Sequence, residues 1–199
     1  MKPERCIEAG ESLFLLPGEV WFGSGAGVLQ TILGSCVAIT AWHPAARLGG
    51  MCHFLLPSRP GGAHPANLDG RYGDEAVQLL TRRALAAGCD IRECDIQLYG
   101  GGWMFSAVPD SSRASNSALE IPWRNVQQAR LAACALGVEV RAEHTGGSGH
   151  RQIRMSLLDG SVRVLHTPLE CHAGPTRSDE SLDLSLCVHN IQLVTTGRQ

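Results

Sequence analysis

Cys36 is the residue whose surroundings best suit nucleophilic chemistry. It follows Gly34 and Ser35, directly after an apolar, β-branched segment at residues 28–33. This pattern predicts a strand that stops in a tight turn, where backbone N–H groups converge and glycine permits close approach of a substrate. A thiol held there can attack a carbonyl carbon, and amides near Gly34 and Ser35 can bind the resulting oxyanion.

His53 is the candidate for the base that such a thiol needs. A nucleophilic cysteine requires a neighbour that lowers the pKa of the thiol and takes its proton. His53 lies on the segment that returns after a turn at His43 and Pro44. If the two segments pair, His53 reaches Cys36, and a polar residue such as Thr31 can orient the imidazole. The alternative interpretation is a cysteine and a histidine that only fill the core.

The elements that would position these residues alternate between strands and helices. Two helices are predicted at residues 74–87 and 124–136, because apolar residues recur every three or four positions and a glycine follows each segment. Asp159-Gly160 indicates a hairpin turn between the last two strands. Strands are predicted at residues 28–33, 37–42, 48–56, 96–99, 138–143, 152–158 and 162–166.

These elements predict one α/β domain, a layered and mostly antiparallel or mixed β-sheet flanked by two main helices. The domain is expected to span residues 1–168, because the regular pattern fades after the hairpin. Residues 169–199 then form a C-terminal extension, partly docked or flexible, in which residues 170–183 are polar. Two apolar pieces follow, at residues 184–188 and 191–194, and they are expected to be able to lay one strand against the domain. Residues 109–117 are predicted to be a polar loop.

Composition excludes several classes of protein. The net charge of −2 argues against a general nucleic-acid binder, which would carry a basic excess. Hydrophobic residues make up 44% and charged residues 18%, the balance of a globular protein rather than of a disordered one. No apolar run reaches the roughly 18 residues of a membrane span. The N-terminus also lacks the features of a signal peptide, so the sequence predicts a cytoplasmic protein without membrane insertion.

Eight cysteines in such a protein need an explanation. None forms a Cys-x-x-Cys pair, so a zinc knuckle is not expected, and disulfides are disfavoured in a reducing cytoplasm. Most of these thiols are predicted to be small buried hydrophobic side chains. Cys171-His172 and Cys187-x-His189 also fit no metal-site spacing, so no metal is expected. The cysteines are residues 6, 36, 52, 89, 94, 134, 171 and 187.

Ordered motifs along about residues 10–166 resemble those of the CheD family of chemoreceptor glutamine deamidases. They combine the cysteine turn, a spaced histidine and a Thr-Gly-Gly segment. The matching segments are residues 33–37 (LGSCV), 50–53 (GMCH), 55–57 (LLP), 72–76 (YGDEA), 100–101 (GG), 104–105 (MF), 124–126 (RNV), 143–147 (EHTGG) and 149–151 (GHR). Two departures are Pro122-Trp123, where the family usually has a glycine, and His144, where an acidic residue is common.

The resemblance implies hydrolysis of glutamine side chains to glutamate on the cytoplasmic helices of methyl-accepting chemotaxis receptors. It assigns the catalytic cysteine and histidine to Cys36 and His53, and the catalytic threonine to Thr31, with no metal or organic cofactor. It also implies binding to CheC, a phosphatase of the chemotaxis response regulator.

Three other classes stay open at this point. One is a Cys–His hydrolase or transglutaminase that acts on another amide, and the second is an inactive module that only binds a phosphatase. The third is a metal or redox protein that uses some of the eight cysteines.

Overall fold

The computed structural model describes residues 6–63, 65–104, 120–169 and 192–196. This part of the chain holds two α-helices, α1 (Gly73–Ala86) and α2 (Ile121–Leu136), and ten strands. In chain order the strands are β1 (Ser12–Phe14), β2 (Val20–Gly23), β3 (Val28–Leu33), β4 (Val37–His43), β5 (Leu48–Phe54), β6 (Asp95–Gly100), β7 (Val140–Thr145), β8 (His150–Ser156), β9 (Val162–Thr167) and β10 (Gln192–Thr196).

The strands form two five-stranded sheets. The first sheet has the order β1-β3-β8-β9-β10, and the second has the order β2-β5-β4-β6-β7. Neighbouring strands run antiparallel, except for the parallel pairs β1–β3 and β6–β7. Two helices beside mixed, mostly antiparallel sheets confirm the predicted α/β domain.

The molecule has three layers, because the second sheet is covered on both of its faces. Along β4, Val37, Ile39 and Ala41 join the cluster beneath the helices, whereas Ala38 and Trp42 join the cluster between the sheets. This alternation is the two-residue period of a strand, and burial on both faces accounts for the almost uniformly apolar sequence of β4. Helix α1 packs on β2 and β5, and α2 packs on β4 and β6.

The helix ends follow local chemistry. Helix α2 begins three residues before the predicted start, because Pro122 fits the first turn, where its missing N–H needs no partner. It ends at Leu136 and is capped by Gly137, whose φ of 71° is the left-handed conformation that glycine adopts at low cost. Neither helix in the described part of the chain is long and apolar enough to cross a membrane.

A buried ion pair fixes the segment that follows β5. The Glu75 carboxylate is fully buried and accepts hydrogen bonds from Arg59 Nε at 2.6 Å and from the Asp69 amide at 2.7 Å. The Arg59 guanidinium lowers the pKa of Glu75, and it also lies over the ring of Tyr72 at 5.1 Å. These contacts hold the segment against the start of α1, next to the end of the strand that carries His53.

Two strands were missing from the sequence prediction, and one strand is shorter than predicted. Strands β1 and β2 have only three and four residues, and all three side chains of β1 are exposed, so neither produces a long apolar pattern. Strand β5 ends at Phe54 rather than at residue 56, because the amides of Leu55 and Leu56 donate to the Arg71 carbonyl at 3.0 Å.

The C-terminal part of the chain contributes strand β10, which pairs antiparallel with β9 from Gln192 opposite His166 to Thr196 opposite Val162. The predicted polar segment at residues 170–183 and the apolar piece at residues 184–188 lie outside the described residues. The loop predicted at residues 109–117 also lies outside them.

Candidate active site

Cys36 and His53 lie at the same end of two paired strands, β4 and β5. In the β4–β5 ladder His53 is opposite Ala38, and Cys36 lies two residues before Ala38. Residues directly opposite in a ladder share a face, so His53 is on the face of Ala38, which belongs to the cluster between the sheets. Cys36 packs against the cluster between the sheets, and His53 is 2% exposed. The pairing on which the sequence hypothesis depended is therefore present.

Thr31 comes to His53 from the other sheet. Its side chain is fully buried, and Thr31 Oγ1 lies 2.9 Å from His53 Nδ1 and 2.7 Å from the Leu15 carbonyl oxygen. A hydroxyl has one proton and a carbonyl can only accept, so the Thr31 hydroxyl donates to Leu15. His53 Nδ1–H then donates to Thr31 Oγ1, which assigns the proton of the neutral ring to Nδ1. The lone pair is on Nε2, the nitrogen that a general base needs free.

His53 Nε2 is buried and has no hydrogen-bond partner among the described residues. Burial lowers the pKa of His53, although the Leu15 carbonyl and Glu19 partly oppose that shift. Burial also raises the pKa of the Cys36 thiol, and a hydrogen bond from Ser35 opposes this in part. Both directions favour the uncharged forms. The sequence predicts an imidazole that holds the thiol partly ionised, whereas burial of both groups acts in the opposite direction on each pKa.

The turn at residues 34–36 is held by its carbonyl groups. Gly34 O accepts from the Gly102 amide at 2.7 Å, and Cys36 O accepts from the Gly101 amide at 2.7 Å. Ser35 O accepts from the Asn125 side chain at 3.0 Å. The amides of Gly101 and Gly102 are therefore engaged with the turn, and the glycine segment acts as its support rather than as a donor to a substrate.

The amides of the same turn are free of such bonds. Neither the Ser35 nor the Cys36 N–H donates to a backbone carbonyl among the described residues. In a planar trans peptide the C=O and N–H groups point in opposite directions. The donors at Gly34 O and Ser35 O therefore fix the directions of the Ser35 and Cys36 N–H groups, each pointing away from the donor that holds its own carbonyl. Adjacent amides left without a carbonyl partner can bind an oxyanion.

Gly100 shows why a glycine is needed where the second sheet approaches the turn. Its φ is 111°, a conformation that other residues rarely adopt, and a Cβ atom there would lie 2.2 Å from Cys36 O. No other residue type fits this contact without displacing the turn. The Gly146 amide donates to Gly100 O at 2.9 Å. This bond connects the Gly-Gly segment at residues 146–147 to the three glycines at residues 100–102.

Asn125 is the functional candidate that sequence reasoning missed. It belongs to the motif at residues 124–126, but no role followed from that match. In the structure it is fully buried, and Nδ2 donates to Ser35 O at 3.0 Å and to Leu55 O at 2.8 Å. It lies 90 residues from Ser35 in the chain. An apparent signal was available: an asparagine on the apolar face of a predicted helix needs buried partners.

The other described cysteines divide by burial. Cys52 is fully buried on the helix-facing side of β5, and burial raises its pKa to about 12. Cys89 and Cys94 are also buried, with their sulfurs 3.5 Å apart, whereas Cys6 and Cys134 are exposed. No group of three or more metal-ligating side chains occurs among the residues that the structure describes. The four candidates at residues 171, 172, 187 and 189 lie outside them.

Comparisons with known proteins connect this geometry to one family. The family model described as CheD chemotactic sensory transduction matches residues 55–166. The chain is 46% identical over 169 residues to a probable chemoreceptor glutamine deamidase CheD of Pseudomonas syringae pv. tomato, covering 85% of this chain and 95% of the relative. It is also 43% identical over 157 residues to a probable chemoreceptor glutamine deamidase CheD 1 of Chromobacterium violaceum, covering 78% of each. A similarly named protein of Leptospira interrogans is 33% identical over 165 residues, 82% of this chain and 95% of the relative.

Proposed function

The chain belongs to the CheD family, and we propose that Cys36, His53 and Thr31 are the residues with which it deamidates glutamine side chains of chemoreceptors. The observation that carries this assignment is the hydrogen bond between Thr31 and His53 Nδ1. It leaves His53 Nε2 without a hydrogen bond among the described residues, and Cys36 packs against the cluster on the side of the β4–β5 pair where Ala38, the residue opposite His53, is buried. The activity itself is that of a protein-glutamine deamidase in chemotaxis, in agreement with the names of the related proteins.

The reaction proceeds through a thioester. His53 Nε2 takes the Cys36 proton as Sγ attacks the carboxamide carbon of the glutamine, and the Ser35 and Cys36 amides bind the oxyanion. Each such donor contributes about 3–4 kcal/mol in comparable sites. The C–N bond then breaks, and the His53 imidazolium protonates the leaving nitrogen, so that ammonia departs. His53 next deprotonates a water that attacks the thioester carbon. Collapse releases glutamate and returns the proton to the Cys36 sulfur.

A receptor cytoplasmic fragment provides the direct test. Incubation with the protein is expected to replace carboxamide by carboxylate at selected glutamines, as seen by peptide mass spectrometry, with one ammonia released for each conversion. Ammonia release from a small amide but never from the receptor fragment would favour the alternative, a Cys–His hydrolase of another substrate. Binding of the fragment without turnover would leave only an inactive interaction module.

We propose two partners, the cytoplasmic helices of methyl-accepting receptors and a CheC-type phosphatase of the response regulator. The first follows from the receptor named in the relatives' activity, and the second is supported by the family resemblance alone. Binding of purified CheC-type phosphatase is tested by gel filtration, and competition is tested by adding it to the deamidation assay. Reaction with receptor helices also requires the chain to act in the cytoplasm, where its free thiols stay reduced.

Removal of the Thr31 hydroxyl is expected to lower kcat between about 10- and 100-fold, less than loss of either dyad member. In Thr31→Ala the imidazole loses an orienting partner, but His53 Nδ1 already lies 3.4 Å from the Leu15 carbonyl oxygen and can donate to it instead. Steady-state deamidation kinetics measure the loss. Thr31→Ser, which keeps the hydroxyl, serves as the matched control and should retain most activity. Equal rates in the alanine variant and the wild type would make Thr31 purely structural.

We propose that residues 1–168 form the catalytic domain and that residues 169–199 are an extension without a catalytic role. Ending the chain after Thr167 is therefore expected to preserve deamidation of a receptor fragment. The melting temperature should fall, because the truncation removes β10 and exposes the edge of β9. Calorimetry and the mass-spectrometric assay measure the two effects. A truncated protein that keeps its circular dichroism spectrum but loses turnover would place part of the site in the extension.

No metal is expected to take part in the reaction. Chelator treatment of the full chain should therefore not change activity.

A further inference from the structure

Asn125 joins the two chain segments that carry the dyad. Both protons of its Nδ2 are used, one by Ser35 O at 3.0 Å and the other by Leu55 O at 2.8 Å. Ser35 immediately precedes the nucleophile, and Leu55 comes two residues after His53. Asn125 Oδ1 has no partner among the described residues, so only the donor half of the amide is engaged.

The bond to Ser35 O determines where the Cys36 amide points. Ser35 O and the Cys36 N–H belong to one peptide plane, on opposite sides of it. A donor that holds the oxygen therefore fixes the direction of the N–H. The carbonyls on either side, Gly34 O and Cys36 O, are held by the backbone amides of Gly102 and Gly101. Ser35 O is the carbonyl of the turn that a side chain holds.

We propose that Asn125 is a positioning residue that keeps the Cys36 N–H directed toward the oxyanion of the tetrahedral intermediate. This role rests on the proposed deamidase function of the site. Helix α2 provides a rigid base for it, because Val126 and Ala129 on the same helix are buried in the core cluster. A side chain with two protons on one nitrogen is needed to reach both carbonyls, which explains an amide at this position rather than a hydroxyl or a carboxylate.

Two substitutions remove the donors in different ways. Asn125→Ala deletes the amide, and Asn125→Asp keeps its shape while replacing both N–H donors by an acceptor. The matched control is Leu80→Ala, which removes buried volume from helix α1 in the same core cluster as Val126 and Ala129 but removes no hydrogen-bond donor from the turn. For each variant the measurements are kcat and KM for a receptor fragment, the rate of Cys36 alkylation by iodoacetamide, and the melting temperature.

Both Asn125 variants are expected to lose about 100-fold in kcat, the loss that follows removal of one oxyanion donor, while KM stays within about threefold. Alkylation of Cys36 should also stay within about threefold, because displacement of iodide develops no oxyanion. If Asn125 only stabilised the fold, its variants would behave like Leu80→Ala. In that control the melting temperature falls, but kcat does not drop about 100-fold while the alkylation rate of Cys36 stays unchanged. A kcat loss no larger than that of the control overturns the proposal, and so does a parallel loss of alkylation.

Hydrogen exchange separates failure of this inference from failure of the proposed function. The Gly101 and Gly102 amides donate to carbonyls of the turn, so they should exchange faster in Asn125→Ala than in Leu80→Ala if Asn125 holds the turn. Unchanged exchange at these two amides would refute the role of Asn125 whatever the activity. A wild-type protein that converts no receptor glutamine would refute the proposed function instead, and the exchange result would still decide whether Asn125 fixes the turn.

Discussion

A Cys36→Ala variant is expected to fold and to convert no receptor glutamine. Removal of the attacking sulfur leaves no route to the thioester, and loss of a nucleophile in comparable hydrolases lowers kcat on the order of 10⁶-fold. The substitution exchanges a thiol for a hydrogen at a partly buried position, so the free energy of unfolding should change by only about 1 kcal/mol. Mass spectrometry of the receptor fragment measures the first effect, and thermal unfolding measures the second.

Cys52→Ala is the matched control for this result. Cys52 lies on the strand of His53 but faces the helices, and it is more deeply buried than Cys36. Its loss should cost more stability than the loss of Cys36 and should leave turnover close to that of the wild type. Conversion near the wild-type rate in Cys36→Ala would remove Cys36 from the role of nucleophile.

The parts of the fold that the sequence predicted are those governed by local chemistry. Helices α1 and α2 follow from apolar spacing and closing glycines. The β8–β9 hairpin follows from Asp159-Gly160, where Gly160 has a φ of 73°. Strands β3 and β4 were placed to within one residue, because the glycine turn between them interrupts an otherwise continuous apolar run. The cysteine turn was found by the same interruption.

The parts that the sequence left open depend on contacts between distant segments. The sequence suggested Thr31 as an orienting residue, but its contact with His53 joins two different sheets, and only the packing of those sheets creates it. Asn125 reaches the turn from a helix 90 residues away. Strand β1 adds to the first sheet in parallel and exposes every side chain, so no amphipathic pattern marks it. The directions of the Cys36 and His53 pKa shifts also depend on burial, which is a property of the packed molecule.

A His53→Ala variant is expected to lose at least about 10³-fold in kcat. The substitution removes the acceptor for the thiol proton and the donor for the leaving ammonia. The thiol, whose pKa is already raised by burial, then has no base, so alkylation of Cys36 by iodoacetamide near neutral pH should also become slower. His43→Ala is the control, because His43 bonds to Glu93 at 3.1 Å on the exposed side of the fold and should be dispensable.

The pH dependence of the wild type tests the same assignment independently. His53 must be neutral to accept the proton, and burial lowers its pKa. The acid limb of kcat/KM should therefore lie below the ordinary histidine value of about 6.5, and activity should fall only as the pH drops through that lowered pKa. Because Cys36 starts as a thiol with a raised pKa, no second group needs to ionise for activity at neutral pH. The residual activity of His53→Ala should lack the acid limb and should rise with pH as the thiolate forms. An acid limb that survives in His53→Ala would assign the base to another residue.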